Sequence, residues 1–188
     1  MHEVSLGNTL RDYLTGEEIK ETTYEEFRQA LARLLVEELG YPRDRLRAKV
    51  EFSYEIDGER YSRSLDLVAY DQEDRPLLVM VFCSGCVGSF VRETAVAARL
   101  IAGGPAPLAL ATDTRDAALI DPASGDVLEQ GMRAVPRWEE LLRRASETDR
   151  TPLDAEQRAK LERIFHAYNG FLLDSCCTSE CCGPFKKG

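Results

Sequence analysis

Hydrophobic and polar positions follow two different periods in the first half of the chain. After Thr22, apolar residues recur at helical spacing over residues 27–39, and hydroxyl residues followed by glutamates suit a capped helix start. Residues 50–56 then alternate between apolar and polar, which is typical of a strand with one solvated face. Asp57-Gly58 predicts a hairpin turn, and residues 61–70 form the return strand.

The second half contains continuous apolar runs. Residues 77–82 and 107–112 predict strands buried on both faces, with a helix over residues 90–101 between them. The order helix, hairpin, buried strand, helix, buried strand favours an α/β domain with a central mixed sheet flanked by helices. The remaining predicted elements are short strands at 118–120 and 127–128 around a turn, a helix at 138–145, and a last helix opened by Thr151-Pro152.

The length of 188 residues suits one domain with its own core. We interpret residues 1–21 as a polar, loosely ordered N-terminal lead and residues 22–145 as the domain proper. Residues 146–188 are expected to contribute a C-terminal helix and a cysteine-rich tail that pack on the same domain.

Charge argues against a dedicated nucleic-acid binder. The net charge is −9, whereas such proteins usually carry a basic stripe that neutralises phosphates. The sequence also has neither a secretory signal nor an apolar run near the roughly 20 residues that a membrane helix needs. We therefore expect a cytoplasmic protein with an unknown protein partner, no membrane association, and nucleic-acid binding not favoured.

Six cysteines are the most distinctive chemical feature. Disulfides rarely persist in the cytoplasm, so closely spaced cysteines there indicate metal ligands or redox thiols. The pattern predicts an iron–sulfur cluster, with a four-iron type favoured, or zinc; a redox or heavy-metal-sequestering thiol site and purely structural cysteines remain alternatives. His166, on the last predicted helix, is interpreted as an interface residue. The candidate ligands are Cys83, Cys86, Cys176, Cys177, Cys181 and Cys182.

Several phrases, in order, resemble the N-terminal nuclease domain of type I restriction enzyme R subunits, which belongs to the PD-(D/E)XK superfamily. The resemblance runs from about residue 12 to residue 128 and implies a restriction-endonuclease-like fold. The phrases are Glu25-Glu26-Phe27-Arg28-Gln29, Gly40-Tyr41-Pro42, Ser64-Leu65-Asp66-Leu67-Val68 and the segment 111–128.

The resemblance also implies a chemistry whose residues are only partly present. The family holds Mg²⁺ between a strand-end Asp and a Glu on the next strand, with a Lys two residues later. Asp66 matches the Asp, but the register places Val81 and Cys83 at the Glu and Lys positions. Valine offers no oxygen and cysteine only a soft sulfur, so Mg²⁺ would be poorly held.

We therefore expect a catalytically degenerate nuclease-like domain with a structural, sensory or redox role. The family's supporting helix glutamate matches Glu25 or Glu26. An active Mg²⁺-dependent nuclease with migrated residues, such as Asp66 with Glu93, is the alternative. A thiol-redox or protein-interaction module is a further one.

Overall fold

The fold is built on a six-stranded mixed sheet in the order β3-β4-β5-β6-β7-β8. It is seen in a computed structural model that describes residues 4–83, 85–148 and 150–176. The strands are β1 Ser5–Arg11, β2 Glu18–Thr22, β3 Leu46–Ile56, β4 Glu59–Tyr70, β5 Pro76–Phe82, β6 Leu108–Thr112, β7 Ala117–Ile120 and β8 Val127–Gln130. The helices are α1 Thr23–Arg33, α2 Val91–Leu100, α3 Trp138–Glu147 and α4 Ala155–Cys176.

The two apolar runs form the centre of the sheet, as their composition predicts. β5 and β6 pair in parallel, from Leu78 opposite Leu108 to Phe82 opposite Thr112, and α2 makes the crossover between them. Every other pairing in this sheet is antiparallel. Parallel strands covered on both faces read as near-continuous hydrophobic runs, and this is the pattern found here.

Helices cover both faces of the sheet, and each face has its own core. One layer contains α1 and α3, whose Leu31 and Leu141 pack on Leu67, Leu78 and other residues of the sheet. The opposite layer contains α2 and α4, whose alanine-rich and aromatic faces pack on Phe52 and Val79. The predicted α/β class with a mixed, helix-flanked sheet and a C-terminal helix is therefore confirmed.

The first helix begins where its cap predicts. The Thr22 side chain accepts a hydrogen bond from the backbone N–H of Glu25 at 3.1 Å. This bond satisfies one of the donors left open at a helix start. The helix continues through a π-helical turn, Leu34–Glu38, and stops at Gly40, whose φ of 79° favours glycine.

Two predicted boundaries are wrong. The segment from residue 5 to residue 21 is not a loosely ordered lead, because β1 and β2 pair into an antiparallel hairpin that ends at the start of α1, and residues 1–3 lie outside the described residues. The last helix does not open at Pro152. It begins at Ala155. The Asp154 carboxylate accepts a hydrogen bond from the backbone N–H of Gln157 at 2.8 Å, and the Gln157 side-chain oxygen accepts one from the backbone N–H of Asp154.

None of the helices in the described part of the chain is both long and apolar enough to cross a membrane.

Candidate functional site

Asp66 lies on β4 directly opposite the position where the resemblance requires a second acid. β4 and β5 pair with Leu67 opposite Met80 and Val68 opposite Val79, so the next pair is Asp66 with Val81. The sequence resemblance assigned Val81 to the position of that second acid. The strand opposite Asp66 thus presents an isopropyl group where a carboxylate would be needed.

Both carboxylate oxygens of Asp66 are engaged by the protein itself. Oδ1 accepts the hydroxyl of Tyr24 on α1 at 2.5 Å, and Oδ2 accepts the backbone N–H of Phe82 at 2.7 Å. Burial raises the pKa of Asp66, and the two hydrogen bonds and the nearby charges of Arg28 and Lys49 only partly oppose that rise. Burial and the adjacent carboxylate likewise raise the pKa of Tyr24, so the tyrosine stays a donor.

The helix glutamate that the resemblance predicts is Glu25, because Glu25 is buried whereas Glu26 is exposed. Its carboxylate accepts the Nε of Arg28 at 2.7 Å and forms an ion pair with Lys49. Lys49 lies on β3 between the pairs Ala48–Leu67 and Val50–Leu65, which places it opposite Asp66. Glu25 is therefore compensated by two cations of its own chain.

Arg28 joins this arrangement to the N-terminal hairpin. Its side chain is almost wholly buried and is paired with both Glu25 and Asp12. Asp12 also accepts the backbone N–H groups of Leu14 and Thr15 at 2.8 Å, and Gln29 adds a further donor. Burial opposes ionisation of Asp12, but the hydrogen bonds outweigh it and lower the pKa to about 2.

At Lys49 and Asp66, the apolar side chains of the β3–β4 hairpin change the face of the sheet on which they pack. Ala48 and Leu67 pack in the layer of α1, whereas Val50 and Leu65 pack in the layer of α2 and α4. Regular strand alternation would keep these residues on one face. The left-handed backbone of Lys49, with φ of 52°, accompanies the switch.

Sequence reasoning missed Tyr24, Arg28 and Lys49 as members of this site. Lys49 directly precedes the alternating segment 50–56, and no local sequence signal indicates that the strand changes faces there. Arg28 lies three residues after Glu25, a helical spacing at which opposite charges meet, and that spacing was an available clue.

Glu93, the proposed migrated acid, lies in the first turn of α2. Its charge, together with those of Asp113 and Asp66, acts on the thiol of Cys83. These carboxylates surround the end of β5, yet nowhere in the described ranges do three or more His, Cys, Asp or Glu residues converge as a metal would require. Asp66, Glu25 and Glu93 therefore do not form such a group in the described ranges.

The two described thiols lie in contrasting environments. Cys83 follows β5 and is buried in the layer of α2 and α4, with its backbone N–H donating to Thr112 at 2.8 Å. Burial and the surrounding carboxylates raise its pKa to about 12, so the thiol is protonated at neutral pH. Cys86 is exposed.

Of the tail cysteines, only the backbone of one is placed. Cys176 is the last residue of α4, and Cys177, Cys181 and Cys182 lie outside the described residues. The predicted thiolate site therefore stays a prediction. His166 does lie at an interface, since its Nδ1 is 3.3 Å from the Tyr54 hydroxyl and its ring centroid is 4.5 Å from that of Tyr61.

An aspartate within β4 that is hydrogen-bonded to the first helix, on a mixed sheet covered by helices, is consistent with a nuclease-like α/β domain. The sequence model of the type I restriction enzyme R protein N terminus (HSDR_N) matches residues 23–136. The chain belongs to this family, as the sequence resemblance indicated. No curated protein and no solved structure matches the chain.

Proposed function

We propose that this chain is a catalytically silent nuclease-fold domain whose former catalytic edge has a structural or binding role. The observation that carries the proposal is the state of Asp66, which has both oxygens hydrogen-bonded within the chain and faces Val81. Each oxygen of Asp66 keeps a second lone pair, but a metal ion that used it would gain no second carboxylate from β5.

The balance of charge around Glu25 supports the same reading. Lys49 and Arg28 compensate Glu25, and Arg28 also compensates Asp12. A divalent cation would have to compete with these internal cations for the same carboxylates. Breaking a buried ion pair by removing one partner typically costs about 3–5 kcal/mol, so such competition is unfavourable.

The test is to restore the missing residues. We expect the unaltered protein to show no Mg²⁺-dependent nicking of plasmid DNA and no rise in melting temperature with Mg²⁺. Val81→Glu combined with Cys83→Lys should gain a Mg²⁺-dependent rise in melting temperature, because the new glutamate would face Asp66. Val81→Gln combined with Cys83→Met is the matched control without added charge.

Cleavage by the unaltered protein would overturn the proposal. If that cleavage disappeared in Asp66→Asn and in Glu93→Gln, the alternative of an active nuclease with migrated residues would take its place. Loss in Asp66→Asn alone would point to Glu25 and Lys49 as its partners instead.

For the thiols, we propose an iron–sulfur cluster or zinc as the bound group. Two features support it: Cys83 and Cys86 both follow the end of β5, and α4, which leads into the cysteine-rich tail, packs in the same layer as Cys83. Thiolates suit both groups, and binding would have to displace the proton that burial keeps on Cys83.

Anaerobic purification followed by a visible absorption spectrum and analysis for iron, sulfide and zinc tests this second proposal. Iron with an equal amount of sulfide would establish a cluster, and zinc alone would establish a structural ion. Cys83→Ser should lower the bound metal, whereas Ser89→Ala leaves every thiol in place and serves as the control. Protein without metal, but with readily oxidised tail thiols, would favour the thiol-redox alternative.

A further inference from the structure

A basic cleft lies between α2 and α4, in the layer away from α1. On α2, Arg92, Ala95, Val96 and Arg99 follow the spacing i, i+3, i+4, i+7, which places them on one helical face. On α4, Gln157, Lys160, Leu161 and Ile164 repeat that spacing. The turn between β7 and β8, residues 122–125, closes the third side of a cleft of about 370 Å³.

The cleft combines an apolar floor with a cationic rim. Ala95, Val96, Leu161 and Ile164 belong to or pack against the core of this layer, so the floor is fixed by the fold. Arg92 and Lys160 are exposed at the rim and Arg99 is half-buried. No aspartate or glutamate lines the cleft within the described part of the chain.

The three cations at the rim have no ion-pair partner within residues 4–83, 85–148 and 150–176. Arg92, Arg99 and Lys160 form no salt bridge with any carboxylate among the residues that the structure describes, although Arg158 on the same helix pairs with Glu162 at 3.0 Å. In a chain of net charge −9, three unpaired cations around one depression are a local reversal of sign. Such a reversal favours an anionic ligand.

A second cavity extends the cleft. It has a volume of about 250 Å³ and shares four lining residues with the first, so the two form one elongated groove. Its remaining walls are largely apolar and come from Pro105, Pro107, Pro152 and Leu153. Asp121 also lines it, but its carboxylate already accepts the N–H of Ala123 and the hydroxyl of Ser124. The shared residues are Arg99, Pro122, Ala123 and Gln157.

We propose that this groove binds a small anionic amphiphile, a molecule with a carboxylate or phosphate group attached to an apolar body. The anionic group pairs with Arg92, Arg99 and Lys160, and the apolar body lies on the floor and extends toward the proline-lined cavity. The volume is in the range of ordinary small-molecule sites, about 300–1,000 Å³. The site shares no residue with the Asp66 network and is independent of the function proposed above.

Calorimetric titration of the full chain with three matched probes tests the proposal. Octyl phosphate has both features, octyltrimethylammonium keeps the chain but reverses the charge, and inorganic phosphate lacks the apolar body. All three are used below micelle-forming concentrations and at one ionic strength. We expect octyl phosphate to bind measurably and at least about tenfold more tightly than either of the others, since each of the other probes lacks either the charge-assisted contact or the burial of an apolar body.

Variants locate the binding. The double variant Arg99→Gln and Lys160→Gln should lower the affinity for octyl phosphate by about tenfold or more. Arg163 is an exposed cation of α4 that does not line the groove, so Arg163→Gln should leave the affinity unchanged. Ala123→Trp fills both cavities from an exposed position and should abolish binding without unfolding the domain. Equal binding of the cationic probe, no binding of octyl phosphate, or indifference to the double variant and to Ala123→Trp would each overturn the proposal.

Discussion

Arg28 is the residue on which the interior polar structure depends. It is buried, and it links α1 to the N-terminal hairpin through Asp12 and to β3 through Glu25, which Lys49 shares. A buried guanidinium is tolerated only when its charge is compensated and hydrogen-bonded. The carboxylates around it are therefore needed for folding whatever else they do.

Replacing Asp12 by Asn should reveal this dependence as a pH-dependent loss of stability. The pKa of Asp12 in the folded protein is about 2, below its ordinary 3.8, so its contribution is full above about pH 4 and is lost as the pH falls through 2. We expect Asp12→Asn to lower the free energy of unfolding by about 2 kcal/mol at pH 7 and by progressively less toward pH 2. Urea unfolding at several pH values measures it.

The matched control for Asp12→Asn is Glu26→Gln, which removes an exposed carboxylate from the first turn of α1. Its effect should stay within about 0.5 kcal/mol at every pH. A loss for Asp12→Asn that did not shrink in acid would show that the ion pair with Arg28 is not its source.

For single residues of the candidate site, the sequence predicted positions along the chain better than it predicted side-chain contacts. The assignment of Val81 to the glutamate position came from aligning its strand with the family motif, and the structure places Val81 opposite Asp66. The engagement of Asp66 by Tyr24 and of Glu25 by Lys49 did not follow, because those contacts join segments far apart in the chain.

Among the elements, α4 is the one that holds the outer half of the β3–β4 hairpin. Phe165 packs its ring 5.0 Å from that of Phe52 and 5.4 Å from that of Tyr54, measured between centroids. His166 adds contacts with Tyr54 and Tyr61. A long hairpin that projects past the neighbouring strand needs such a cover for its apolar face.

Truncating Phe165 should therefore remove much of the packing between α4 and the β3–β4 hairpin. We expect Phe165→Ala to lower the free energy of unfolding by about 3 kcal/mol, the usual loss for a buried phenylalanine. Tyr168→Ala, one turn further along α4 and partly exposed, is the matched control and should cost much less. A loss below about 1 kcal/mol for Phe165→Ala would mean that α4 does not unfold together with the sheet.

Element boundaries divide into those with a local signal and those without one. The Thr22 cap and the apolar runs of β5 and β6 are encoded locally and were predicted. The start of α4 was misread because Pro152 suits a first helical turn, whereas the reciprocal bonds of Asp154 and Gln157 fix the start later. The β1–β2 hairpin was missed because its residues are mostly polar and exposed, so it lacks a hydrophobic period.

For the whole molecule, net charge sets an expectation about DNA. With 33 acidic and 24 basic side chains, the surface should repel a polyanion unless a basic stripe gathers on one face. We expect binding to a short labelled DNA duplex to be weaker than about 100 μM at an ionic strength of about 0.15 M, as judged by fluorescence anisotropy.

Tight, salt-sensitive binding to that duplex would contradict this expectation and direct attention to the cationic rim of the α2–α4 cleft. Arg92→Gln combined with Arg99→Gln would then show whether the rim is responsible, with Arg163→Gln as the control.

The hydrogen bonds of Asp66 have a consequence for the way in which relatives of this protein are read. Without Asp66, the hydroxyl of Tyr24 and the N–H of Phe82 would lose their hydrogen-bond acceptor. Buried donors without an acceptor lower the stability of the folded state. Selection for a stable fold would thus keep the aspartate long after selection for cleavage had ended. In such lineages, an aspartate at the catalytic position indicates only that the fold needs it. The residue opposite it on the neighbouring strand is then the better indicator of nuclease activity.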